Sequence, residues 1–219
     1  MKYNSICLSL PNRHVQYNHG RIVRLHDAEC PSGRRREYMD RRIERTNRCI
    51  INTFLELRAG KPLEKISVKE LCERAGINKS TFYAHYQDIY DLSEQLETQA
   101  ASDVLAGIGH PEELFTNPEE FTRRLYYAYL AQEHLIHILF SGSRNGLLIE
   151  RIEDSLKSMI RQMHPGLLED PAAETLFTLE IYGEYYAFQK CRHLGDEAVI
   201  ATLCEHSRRT MELLKPVSS

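Results

Sequence analysis

The residues of this chain best suited to chemistry stand together in Lys79-Ser80-Thr81-Phe82-Tyr83-Ala84-His85-Tyr86. Within about two helical turns they offer an ammonium, two hydroxyls, two phenols and an imidazole. Phe82 and Tyr86 are four apart and share a helix face, which is expected to pack inward on Ile43, Ile50 and Leu71. Lys79, Ser80, Tyr83 and Ala84 then fall on other faces. A cation, a hydroxyl, a phenol and a small apolar group suit phosphate oxygens, base edges and a thymine methyl. That is recognition chemistry, not bond making.

The remaining reactive side chains do not assemble into a catalytic or metal-binding pattern. His134 and His137 lie one turn apart beside Glu133, but no H-E-x-x-H and no second ligand pair accompanies them. Ser141-Gly142-Ser143 reads as a turn, not a nucleophile elbow, because no strand precedes it. The six cysteines form no C-x-x-C pair and are expected to be reduced. No Walker or dinucleotide-binding glycine pattern occurs. The expectation is therefore a protein that is not an enzyme, with no metal and no cofactor.

The elements that position the recognition residues are helical throughout. Ile43, Ile50, Phe54 and Leu57 recur at helical spacing until Gly60 and Pro62 close a first helix. Ser67 and Glu70 form an S-x-x-E capping box that opens a second helix, ended by Gly76. Asn78 caps a third, Lys79 to His85, and Asp88 caps a fourth, from Ile89 to about Ala106. Pro118 opens a helix running to about Phe140, stopped by Gly142. Others are expected from about Gly146 to Met163, from Asp170-Pro171 to about His193, and from Asp196 to about Leu214. About eight helices are expected after Met39, an all-α fold. Residues 1–38, with two prolines and two glycines, show no sustained period and read as a disordered extension, in which Arg34, Arg35 and Arg36 offer themselves to phosphate.

Val68-x-Glu-Leu-Cys-Glu-Arg-Ala-Gly76-Ile-Asn-Lys-Ser-Thr81-Phe-Tyr83-Ala-His85-Tyr86, followed by Asp91-Leu92, closely resembles the DNA-binding domain of the TetR/AcrR family of transcription regulators. The resemblance covers residues 40 to about 95. It implies a three-helix helix-turn-helix domain over residues 39–88 and a larger helical effector-binding and dimerisation domain over 89–219. It also implies a homodimer, usually a repressor, that binds a pseudo-palindromic operator in double-stranded DNA and releases it when a small molecule binds. By position, Thr81, Tyr83 and His85 resemble the family's phosphate contacts, and Lys79, Ser80 and Ala84 its base readers. One residue departs: many members carry a lysine where this chain has Ile89, so one phosphate contact is missing. Asp88-Ile89-Tyr90-Asp91-Leu92 is similar to the subgroup containing activators of dihydroxyacetone kinase genes.

Charge follows the same division. Residues 1–95 hold 17 Lys and Arg against 12 Asp and Glu, and residues 96–219 hold 11 against 19, so only one end is suited to a polyanion. No apolar run reaches the ~20 residues of a membrane span, and the chain is expected to be cytoplasmic with no membrane partner. In the larger domain Tyr126, Tyr129, Tyr182 and Tyr186 are expected to wall an effector pocket. The resemblance places the dimer surface on the last two helices, where Leu176, Leu179 and Gly183 on one and Val199, Leu203, His206 and Thr210 on the other could supply its apolar stripe. Two other functions compete: a DNA-binding co-activator controlled by a protein partner, favoured by a core without a cavity, and an all-α enzyme, favoured by titratable residues clustered in a cleft.

Overall fold

The computed structural model describes residues 6–10, 13–18, 21–24 and 34–213, with side chains from Arg41 onward. At the start, the backbone of β1 (Ile6–Leu10), β2 (Arg13–Asn18) and β3 (Arg21–Arg24) pairs antiparallel in that order. The rest of the expected 1–38 extension, and the side chains of Arg34, Arg35 and Arg36, lie outside the described residues. From residue 41 to 213 every regular element is helical, and the fold is all-α. The helices are α1 (Arg34–Gly60), α2 (Val68–Ala75), α3 (Lys79–Tyr83), α4 (Ile89–Ala106), α5 (Glu113–Thr116), α6 (Pro118–Ala131), α7 (Glu133–Leu139), α8 (Leu147–Met163), α9 (Pro171–Cys191) and α10 (Asp196–Leu213).

The chain divides into two compact units. The first holds the described residues up to Ala100 together with His134–Asn145. Ile50, Phe54, Leu71, Phe82 and Leu92 form its fully buried core. Ile43, which the spacing places on the same face, is 51% exposed; the apolar period of α1 extends beyond the helices that cover it. Ser67 Oγ accepts from the Glu70 backbone N–H at 3.2 Å, capping α2. The reciprocal half of the box does not form, because the Glu70 carboxylate pairs instead with Lys61 and Arg74. Gly76 ends α2 in the left-handed region at φ 64°, ψ 35°. At α4 both halves of a cap form: the Asp91 N–H donates to Asp88 Oδ1 at 2.8 Å, and Asp91 Oδ2 accepts from the Gln87 N–H at 2.7 Å.

Segment 134–145 is fastened within this unit by two arginines. The buried guanidinium of Arg58 on α1 donates to the carbonyl oxygens of Ser141 at 2.8 Å and Leu139 at 3.4 Å, at the end of α7. Burial lowers the Arg58 pKa from its ordinary value, and these carbonyls partly restore the hydrogen bonds lost from water. Arg144 grips Glu97 of α4 bidentately, at 2.6 and 3.0 Å.

The second unit comprises residues 101–133 and the chain from Gly146 onward. Pro118 and Pro171 each occupy the first turn of their helix, and Asp170 caps α9 through the Ala172 N–H at 3.1 Å. The helix expected to run unbroken from Pro118 to about Phe140 instead breaks at Gln132, which leaves the helical region at φ −112°, ψ 7°. Neither glycine nor proline marks that break. α10 packs on α6. Val199 and Leu203 are thereby buried within their own unit, so they are not available to the dimer surface the sequence suggests.

Candidate nucleic-acid interface and buried cavity

α3 is the shortest possible platform for recognition. It ends at Tyr83, two residues before the expected His85, and Ala84 occupies its C-cap. Asn78 sits at the N-cap position with extended backbone, without a side-chain capping bond. What holds α3 is its inner face. Phe82 is fully buried, its ring 5.8 Å from that of Tyr86. The Tyr86 hydroxyl donates to Asn47 Oδ1 on α1 at 2.7 Å. Burial pushes the Tyr86 phenol up to about 12, so it stays a neutral donor.

With that face fixed, the others look outward. Lys79, Ser80 and Ala84 are exposed, Thr81 and His85 half-buried, and Tyr83 is 56% exposed. The Tyr83 ring lies edge-on to Phe82, with centroids 5.6 Å apart, which sets the direction of its hydroxyl. Burial lowers the His85 imidazole below its ordinary value, so at neutral pH it meets an oxygen acceptor as a neutral N–H donor. Arg42 and Arg45 are also exposed on α1. Their i, i+3 spacing was visible in the chain but was not singled out. Ile89 is buried.

The second unit contains a cavity of about 60 Å3 lined mainly by α6, α8, α9 and α10, with Val104 of α4 and Leu114 of α5. Tyr126 and Tyr129 line it, whereas Tyr182 and Tyr186, the other two expected wall residues, do not. Tyr182 donates to Glu153 Oε2 at 2.8 Å and Tyr186 is half exposed. Tyr129 accepts from Gln189 at 2.7 Å, and the Tyr126 ring lies 4.6 Å from that of Phe188. Most of the wall is aliphatic or aromatic, but two acids join it, Glu180 and Glu184, one turn apart on α9. Sequence reasoning missed both, because an i, i+4 pair of glutamates ordinarily marks a solvated face. Glu184 is raised well above the usual carboxylate range, first by burial and then by the Glu180 charge and a hydrogen bond with it. Tyr126 is likewise raised, chiefly by burial.

Of the residues expected at a dimer surface, Leu179, Gly183 and His206 are exposed, and Leu179 shares a face with Tyr186. Glu133 is engaged with Arg192. Among the described residues no cluster of three His, Cys, Asp or Glu has a metal-binding arrangement, and no helix is long and apolar enough to cross a membrane. No protein family, no curated protein and no solved structure matches the chain.

Proposed function

We propose that this chain is a sequence-specific, DNA-binding transcription regulator of the TetR/AcrR type, a ligand-responsive repressor acting as a homodimer. The observation that carries the proposal is the split of α3: Phe82 and Tyr86 are locked inward while Lys79, Ser80, Tyr83 and Ala84 are exposed after the Gly76 turn. Two such helices, one from each subunit, enter successive major grooves about 34–36 Å apart. Lys79, Ser80 and Ala84 read base edges, and Thr81, Tyr83 and His85 hold phosphate. The exposed α9 face of Leu179, Gly183 and Tyr186 supplies apolar surface for the second copy. A ligand in the cavity releases DNA by binding better to the conformer in which the two α3 helices are wrongly spaced.

The cavity favours a small-molecule effector over a controlling protein partner. Glu180, Glu184 and Tyr126 are a titratable cluster such as an enzyme would need. However, the two carboxyls stand on one turn of one helix and bear on each other. That arrangement shares a proton; it does not flank a bond, as paired catalytic acids do at about 5–9 Å.

The test is fluorescence anisotropy on DNA selected from random pools, at two salt concentrations. A palindrome should be enriched, with affinity falling as salt rises. Lys79→Ala and Tyr83→Ala should each weaken binding by roughly 1–3 kcal/mol, Lys79→Ala also lowering the salt slope by about 1 if it touches phosphate. Unchanged affinity in both variants, with the fold intact, removes the residue assignment.

A further inference from the structure

The geometry points to a binding site for an organic cation in the second unit: a protonated or quaternary amine on an apolar body, seated between the Glu180–Glu184 carboxyls and the rings of Tyr126 and Phe188. It rests on the effector reading for its biological use and names the chemical class of that effector.

Both acids are more than nine-tenths buried, Glu180 at 6% and Glu184 at 8% exposure, and both line the cavity. The two carboxyls hydrogen-bond each other, and beyond that pair Oε1 of each receives no hydrogen bond among the described residues. The opposite edge of Glu180 is already held, Oε2 lying 3.0 Å from Nε2 of the exposed His206, so the free edges are the ones left for a guest. Desolvated carboxylate oxygens without donors are costly in a protein interior. No lysine or arginine lines this cavity to compensate them. The rest of the lining is aromatic and aliphatic: Phe121, Tyr126 and Tyr129 from α6, with Phe177 and Phe188 flanking the acids on the same face of α9. An anion is repelled there, and a neutral polar molecule leaves the charge uncompensated. A cation with apolar substituents satisfies both features, its charge on the carboxyl edges and its carbon on the ring faces. At about 60 Å3 the cavity exceeds the ~10–15 Å3 needed by one water and admits a small ammonium head group.

Calorimetric titration of the full chain, without DNA, tests the site using ethylammonium, the neutral ethanol and the anionic acetate, which are of a size with the cavity. The cation is expected to bind at least tenfold tighter than the alcohol, and acetate not at all. Glu180→Gln and Glu184→Gln keep the shape of the side chain and together remove the charge that the proton-sharing pair carries. Their combination should abolish the preference for the cation while the alcohol binds as before, which also reports that the cavity remains folded. Equal binding of cation and alcohol by the unaltered chain, no binding of the cation, or an undiminished preference in the double variant each overturns the proposal. Anisotropy on the selected DNA is then repeated with ethylammonium. Cation binding that leaves DNA affinity unchanged defeats the effector reading and leaves the site standing.

Discussion

Arg144→Ala is a sharp test of how the first unit is held together. Glu97 is fully buried, with 0% of its side chain exposed, whereas Arg144 is 22% exposed. The guanidinium meets both carboxylate oxygens, at 3.0 and 2.6 Å, and Ser93 Oγ donates to Oε1 at 2.7 Å. Truncating the arginine leaves the carboxylate in place, having lost its bidentate partner and keeping the Ser93 hydroxyl and the more remote charge of Arg58. Breaking a buried pair from one side costs ~3–5 kcal/mol, against ~0–1 for an exposed pair. Because Arg144 is partly exposed and Ser93 remains, the loss should fall near the lower bound, about 3 kcal/mol. Urea unfolding followed by helix circular dichroism measures it directly. Adding Glu97→Gln should recover part of the loss, because the buried charge that lost Arg144 is gone. A loss under ~1 kcal/mol, the magnitude of an exposed pair, or a double variant worse than Arg144→Ala, would refute the assignment of this contact as a buried ion pair fastening segment 134–145 to α4.

Two further outcomes follow from single positions. Gly76→Ala should lower stability by about 1–2 kcal/mol through the left-handed backbone alone, since a Cβ there meets nothing within 4 Å and φ is +64°; an unchanged thermal midpoint would show that the turn adapts at no cost. Glu184 is protonated over a pH range in which the unfolded chain is not, its pKa being raised by burial and by Glu180. Stability from this group is therefore greatest at and below the ordinary carboxyl value of 4.5 and falls as pH rises toward the raised value. Glu184→Gln should flatten that fall and raise the urea midpoint at pH 7–8; a profile parallel to the unaltered chain would sink the account.

Where local chemistry alone fixes the backbone, the chain announces its structure. Ser67, Gly76, Asp88 and Pro171 each act on the few residues beside them, and each stands at the helix boundary its type predicts. The break at Gln132 has no such marker. It follows from which neighbours α6 and α7 pack against, and those neighbours are remote in the chain. Periodicity has a related limit. It says that a helix has an apolar face but not what covers it, so Ile43 reads as core yet is exposed, while Val199 and Leu203 read as a surface for a second copy yet are buried within their own unit.

The candidate site divides along the same line. Lys79, Ser80, Tyr83 and Ala84 are legible because Phe82 and Tyr86 fix the inward face of a short helix, leaving these four the outward directions. In α9 that inference fails, because aromatic and acidic residues alternate around the whole circumference. Tyr182 and Tyr186 look as suitable for a pocket as Tyr126 and Tyr129, yet only the α6 pair lines the cavity. The two buried carboxyls are the least legible feature. Nothing in Glu180-Ile-Tyr-Gly-Glu184 says that a wall of α6, α8 and α10 removes them from water, and their proton sharing exists only once that wall is built. Burial, not residue type, makes these glutamates chemically distinctive, so in an all-α body of this kind the determinants of ligand class lie in the helix packing and not in a motif.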